Sequence, residues 1–222
     1  MTMNDYAAKP AFYFDNVRSE IAPLLPLHAA RVLDVGCGAG ATLQWLKQGG
    51  RCGVGVGIEM MENAAAIARG RIDEVHVGDA TLLVDTAFAP QSFDLVLCLD
   101  VLEHLVDPWA FVAKLCPLLR PGGRVIASLP NVRHLRVVLP LLLAGRWRYE
   151  ASGILDRTHL RFFTRESALA LMSTGGLRVQ QWQRRLPPLN SKAGLLNAAT
   201  FGLASDLVTM SYLVAATASG IA

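Results

Sequence analysis

Short continuous apolar runs alternate with segments of helical apolar spacing along most of this chain. Val32–Val35, the stretch GVGVGIE ending at Glu59, Glu74–Val77, Leu95–Leu99 and RVIASLP at 124–130 read as five strands. Ala41–Gln48, Asn63–Gly70 and Pro108–Leu118 read as helices between them, and PGG at 121–123 as a turn. Residues 11–27 carry a rough helical period through Phe12, Val17, Ile21 and Leu24, and Pro23 and Pro26 end it. The strands are apolar throughout and not on alternate residues. Such strands are covered on both faces by crossover helices, so the pattern predicts an α/β fold with a mostly parallel sheet. Ligands of such sheets bind beyond the carboxyl ends of the strands, where the strand order reverses.

The C-terminal third changes character. Val132–Trp147 is apolar and punctuated by arginine, and 148–164 reads as a loop. Thr164–Ser173 reads as a helix that Thr164 caps, although Glu166 stands one place short of a capping box. Leu177–Gln181 and Thr209–Ala216 read as strands six and seven. Between them lie a polar connection at 183–192, with Pro187 and Pro188, and a helix-prone stretch, Leu195–Leu207. The last four residues are expected to fray. No repeat or linker divides the chain, so one domain spanning 1–222 is expected.

Composition narrows the class. The chain has 222 residues, 52% of them hydrophobic, enough for one full core. Its 21 basic and 18 acidic residues leave a formal charge of +3, too small an imbalance to imply nucleic acid. The cysteines at 37, 52, 98 and 116 form no CxxC pair and read as buried free thiols of a reducing compartment. The start of the chain lacks a signal-peptide pattern, and no apolar run is long enough to span a bilayer. A cytoplasmic protein is expected.

The stretch LDVGCGAG at 33–40 carries the first chemistry. Gly36, Gly38 and Gly40 clear space where backbone must bend or approach a ligand. No Gly-Lys-Ser/Thr follows, so this is not a phosphate-gripping P-loop. The third glycine also comes one residue too early for GxGxxG. Glu59 ends strand two, nineteen residues after Gly40, where a carboxylate can accept ribose hydroxyls. Asp79 follows strand three and is placed to meet an adenine amino group. Asp34 puts negative charge beside the loop, which repels a pyrophosphate and suits a cationic amino-acid tail or a sulfonium.

In LDVGCGAG, GVGIE, VGDA, FDLVLCLDVLEHL and LRPGGRVIASLPN, the chain resembles the class I S-adenosylmethionine-dependent methyltransferases. That resemblance implies a Rossmann-like three-layer α/β sandwich with a mostly parallel seven-stranded sheet and an antiparallel last strand. It divides the domain into an N-terminal helical lid (1–29), a cofactor-binding core (30–130) and acceptor-side insertions with the final strands (131–222). It implies S-adenosyl-L-methionine as cofactor, held by Asp34, Gly36, Cys37, Gly38, Gly40, Glu59, Met60, Asp79, Ala80 and Asp100. Cys37 serves there as a small side chain, not a nucleophile. LPNVRHLR, LLLAGRWRYEASGILDRTHLRFFT and SYLVAATA are similar to methyltransferases found beside bacterial glycosyltransferase or surface-polysaccharide genes. This second likeness implies a small-molecule or sugar-containing acceptor.

Transfer of an activated methyl group needs alignment and exclusion of water, and an oxygen acceptor must also lose its proton. Histidine suits that task near neutral pH. His159, in GILDRTHLRFF, is the first candidate, followed by His104 beyond strand four and His134 beyond strand five. The alternative for each is structural: pairing with Asp156 for His159, packing at a helix start for His104. Asp156 and His159 alone do not make a metal site, so no metal is expected. Arg146, Arg148, Arg157 and Arg161 form a sparse positive set, either facing an anionic acceptor or simply solvated. Tyr13 and Phe14 fold across the cofactor or pack in the core. VVLPLLLAGRW at 137–147 is a helix with three readings: a lid, ordinary packing, or a peripheral contact with a lipid-linked substrate. Two other classes compete: a nicotinamide-dependent oxidoreductase on a related fold, which would want GxGxxG, and a non-catalytic protein that binds cofactor or a partner.

Overall fold

A computed structural model describes residues 14–218. Seven strands form one sheet: β1 (Ala29–Val35), β2 (Cys52–Glu59), β3 (Glu74–Val77), β4 (Phe93–Leu99), β5 (Leu119–Pro130), β6 (Leu177–Arg184) and β7 (Ser211–Ala218). Their order is β3-β2-β1-β4-β5-β7-β6. The first five run parallel, and β7 lies antiparallel between β5 and β6. The crossovers carry α1 (Ala41–Gln48), α2 (Glu62–Ala68), α3 (Ala80–Thr86) and α4 (Pro108–Leu115). Beyond β5 come α5 (Leu135–Ala144), α6 (Arg165–Leu171), α7 (Lys192–Ala199) and α8 (Ser205–Val208). This is the expected mostly parallel seven-stranded α/β sandwich, and its order reverses between β1 and β4.

Both faces of the sheet are buried. Leu33, Val35, Val96, Val125 and Ala127 face one apolar cluster with α4 and α6, while Val32, Leu95, Leu97 and Ile126 face the other with Ile21 and Leu24. On the second face the alternation continues into polar residues at the strand ends: Asp34 follows Val32, and Ser128 follows Ile126. That substitution at the carboxyl edge opens the sheet for chemistry.

Some elements differ from the sequence reading. The helix expected over 11–27 is, in its described part, a single 3₁₀ turn, Ser19–Leu24, because Pro23 sits inside it. Phe12, Tyr13, the first thirteen residues of the lid at 1–29 and the last four residues lie outside the described residues. The TLLVDT stretch forms α3, which the periodicity did not reveal. The turn at 121–123 lies within β5, where Gly122 takes φ 79° and the pairing with β4 shifts register. Thr164 does cap α6, and Ser167 in place of Glu166 completes the reciprocal box. Among the described residues, no helix is long and apolar enough to cross a membrane.

Gly175 joins α6 to β6 at φ +62°, and a Cβ there would lie 2.2 Å from Ala113 Cα. Gly175→Ala combines a left-handed backbone with a backbone clash, so it should destabilise the fold by about 3 kcal/mol. Urea titration checks this, and a midpoint within error of the parent would contradict it.

Candidate active site

A cavity of about 760 Å³ opens at the carboxyl ends of β1, β2 and β4. The loop after β1 forms one wall, and Gly36 and Gly38 there have φ of 70° and 54°. A Cβ on Gly36 would sit 2.8 Å from Val101 Cγ2, and one on Gly38 would sit 2.4 Å from the Phe14 carbonyl. Glycine is therefore required by close packing of the chain on itself as much as by any ligand. Gly40 begins α1 and faces Ala68 and Ile72, so it packs α2 and does not line the cavity.

Every amide of this loop has a partner within the protein. Gly36 and Cys37 donate to the Ile58 carbonyl, Ala39 to Phe14 and Gly40 to Cys37. Gly38 donates to Glu59 Oε2 at 2.8 Å. A loop that grips a pyrophosphate needs amides aimed at the ligand. This loop has none to spare, so residues 36–40 offer no donor to a pyrophosphate.

Five carboxylates border the cavity: Asp34, Glu59, Asp79, Asp100 and Asp107, the last of which caps α4. Asp34 is 3% exposed. Burial raises its pKa to about 7; Arg18 opposes the shift and Glu59 adds to it. Glu59 also accepts from the Met61 amide on Oε1 at 2.8 Å. Burial raises its pKa, while the amides of Met61, Gly38 and Met60 hold it down. These amides leave the carboxylate with lone-pair capacity for a ligand. Asp79 caps α3, its Oδ1 accepting from the Thr81 amide and hydroxyl at 2.8 and 2.7 Å. The cap and the cavity position coexist. Cys37, Met60 and Ala80 also line the space. Burial drives the Cys37 thiol pKa strongly upward, which leaves it inert.

Asp100 is held in the left-handed region at φ 58°, unusual for a residue with a side chain. Its carboxylate accepts from Ser128 Oγ at 2.6 Å and Arg18 Nη1 at 2.7 Å. Arg18 also reaches Glu20 at 2.7 Å and Ser128 Oγ at 3.2 Å. The sequence reading missed Arg18. Its only signal is a charge inside an otherwise apolar helical period.

The three candidate histidines part company. His104 lines the cavity beside Leu105 and Leu160. Its Nδ1 lies 3.1 Å from the Thr158 carbonyl, which makes Nδ1 the donor and puts the lone pair on Nε2. Burial, with His159 adding to the effect, lowers its pKa to about 4, so the ring is neutral. His159 packs edge-on against it, centroids 4.7 Å apart, and does not line the cavity. His159 Nδ1 lies 2.9 Å from the Ile154 carbonyl, and Nε2 lies 3.8 Å from Glu103 Oε1. Glu103 is fully buried, and among the described residues neither carboxyl oxygen has a hydrogen-bond partner. Burial pushes its pKa well up, with Asp100 adding to the rise. Its backbone carbonyl receives the amides of Leu160 and Arg161, pinning the 150–163 loop to the turn that carries His104. His134 instead caps α5, its Nδ1 accepting from the Arg136 amide at 3.1 Å, and stays outside the cavity lining. Burial, with Arg136 adding to it, lowers the His134 pKa.

Asp156 accepts from the amide and hydroxyl of Thr158, shaping the turn that carries His159. Arg146, Arg148, Arg157 and Arg161 are not among the cavity-lining residues. Arg161 donates to the Val106 carbonyl and stacks over Trp109 at 5.8 Å.

Residues 8–181 match the family described as "Methyltransferase domain". The chain is 31% identical over 192 residues to a ubiquinone biosynthesis O-methyltransferase of Xylella fastidiosa, covering 80% of this chain and 76% of the relative. The corresponding protein of Xanthomonas euvesicatoria is 29% identical over 201 residues, 82% of this chain and 80% of its own. Among solved structures, the fold is similar to a SAM-dependent methyltransferase from Archaeoglobus fulgidus, with TM-score 0.64, 18% identity and 90% of each chain covered. One from Mesorhizobium loti gives TM-score 0.62 and 19% identity over 91% of this chain and 99% of that one.

The raised pKa of Asp34 has a thermodynamic consequence. Between its ordinary value of 3.8 and about 7 the folded state holds a proton that the unfolded state has lost. Its contribution to stability therefore falls as pH rises through that window and stays lost above it. Asp34→Asn should flatten this fall and stabilise the ligand-free protein at pH 8 by on the order of 1–3 kcal/mol. Denaturant titrations from acid to alkaline pH test it; a variant that tracks the parent at every pH would contradict it.

Proposed function

Because the chain belongs to the family of S-adenosylmethionine-dependent methyltransferase domains, we propose that it methylates a hydroxyl of a small molecule, with His104 as the acceptor-side base. The observation that carries this reading is one cavity shared by five carboxylates and a neutral histidine. The acidic wall fits a donor with an ammonium group and a sulfonium, and the fully engaged loop amides fit a donor without a phosphate.

S-adenosylmethionine supplies a methyl group already activated on a sulfonium. Asp34, Gly36 and Gly38 hold its amino-acid part, Glu59 its ribose and Asp79 its adenine end. Asp100, fixed by Arg18 and Ser128, holds the wall from β4. The chain then has to orient the acceptor, exclude water and take one proton. His104 Nε2 accepts that proton, because the Thr158 carbonyl fixes the tautomer. His159 steadies the ring from behind. The His134 helix cap serves the fold alone.

The relatives named for ubiquinone biosynthesis support a phenolic acceptor with an apolar tail. Leu105, Val106 and Leu160 offer it apolar walls. The likeness of 129–164 to glycan-associated methyltransferases supports a sugar-containing acceptor as the second reading. The four free cysteines, three of them buried, support a reducing cytoplasmic setting.

Parallel calorimetric titrations with S-adenosylmethionine, S-adenosylhomocysteine and NAD test the donor half. Binding of the sulfur ligands without NAD is expected, and NAD binding alone would overturn the reading. Glu59→Ala should weaken donor binding by about 10- to 100-fold, the loss of charged hydrogen bonds. On the acceptor half, dihydroxybenzenes with and without prenyl tails are assayed beside nucleotide- and lipid-linked sugars. His104→Ala should lower kcat by roughly 10²- to 10⁴-fold and spare donor affinity. His159→Ala should lower it less, and His134→Ala should lower thermal stability with kcat unchanged. Unaltered turnover in His104→Ala would remove the base from its role.

A further inference from the structure

The apolar tip of α5 has no cover among the described residues. Val137 anchors the helix against Ile154 and Leu155, with Trp147 and Phe162 packed beside them. From Leu139 to Arg146, however, every residue is exposed, including Leu142 at 74% and Leu143 at 81%. A helix turn that is apolar all round is ordinarily found in a protein core or in lipid. A second apolar segment has the same character: Leu189, Leu195, Phe201 at 97% and Leu203 at 90%.

The two segments leave the same end of the sheet. α5 follows the carboxyl end of β5, and α7 and α8 precede β7, whose Ser211 pairs with Pro130 of β5. Asn131 Nδ2 donates to the carbonyls of Asp206 and Thr209, and Arg133 pairs with Asp206 at 3.6 Å, so the start of α5 touches α8. This is also the end where the cavity opens, and Leu160, in the loop that returns from α5, lines it.

Charge decides the partner. Residues 108–149 and 167–205 contain no acidic residue. Arg133, Arg165 and Arg184 share the single carboxylate of Asp206, and Arg185 shares Glu20 with Arg18, so these clusters keep a net positive charge. Arg136, Arg146, Arg148 and Lys192 are exposed and have no acidic partner among the described residues. A second copy in a twofold arrangement would bring two net-positive faces together. We propose that this end of the molecule docks on an anionic lipid bilayer. The α5 tip and the 201–203 turn enter at headgroup depth, and Arg136, Arg146, Arg148 and Lys192 meet the lipid phosphates. The docking is independent of which acceptor is methylated, and it sets the mouth of the cavity near the membrane surface.

Flotation of the full chain with phosphatidylcholine vesicles, with and without phosphatidylglycerol, tests this. Phosphatidylglycerol should strengthen binding by about 100-fold, the effect of several cations at an anionic surface, and raised salt should erase most of that gain. The double variant L142E/L143E should abolish flotation while its calorimetric affinity for S-adenosylmethionine stays at the parent value, because both side chains stand clear of the cavity. R146A/R148A should lose at least tenfold on the anionic vesicles only. Absence of flotation, equal binding to both vesicle types, or unaltered binding of L142E/L143E would each overturn the proposal. So would light scattering that shows a dimer whose formation buries these residues and prevents vesicle binding.

Discussion

Arg18 makes an acidic cavity compatible with a stable fold. Five carboxylates around one space repel each other, and two of them, Asp34 and Glu59, are almost wholly removed from water. A guanidinium inserted beside Asp100, Glu20 and Ser128 supplies the opposing charge and ties the segment before β1 to the ends of β4 and β5. Its backbone amide adds a bond to Thr42 Oγ1 on α1. Its planar fork serves three partners from three separate nitrogens in fixed directions, whereas the three donors of a lysine share one nitrogen. The left-handed backbone of Asp100 is held by the same set of contacts.

The cofactor half was largely legible in the sequence because local chain geometry builds it. Asp34, the glycine turn, Glu59 and Asp79 each sit at a strand end, and a parallel sheet brings successive strand ends to one edge without further information. Gly40 shows the limit of that logic: it belongs to the same motif, yet its neighbour is α2 and not the cavity. Asp79 shows another. A carboxylate at a strand end is also a helix cap, an alternative the sequence allows at Asp79, but seven residues from Ala80 to Thr86 are too few for the periodicity to reveal α3.

The acceptor half was far less legible because it depends on contacts between distant residues. His104 and Thr158 are separated by 54 positions, as the hydrogen bond that fixes the imidazole records. No period or spacing ranks His104 above His159 or His134; only their different neighbours do. Glu103 reads as one more charge between Leu102 and His104, although its backbone anchors the returning loop and its buried carboxyl lies near His159. The same holds for α5, whose apolar stretch fits a lid, ordinary packing or a membrane contact in the sequence, and whose residues from Leu139 on stand exposed in the structure.

The carboxylate wall also bears on how the enzyme clears its site after each turnover. Methyl donation converts a sulfonium into a neutral thioether, so the spent donor carries one positive charge fewer than the fresh one. A wall of Asp34, Glu59, Asp79 and Asp100 attracts the two unequally, and the inequality grows because Asp34 and Glu59 lie in a poorly solvated space. The charge lost in the chemical step is therefore lost from the grip on the by-product. The fold thus favours exchange of spent donor for fresh by electrostatics alone, with no moving part required.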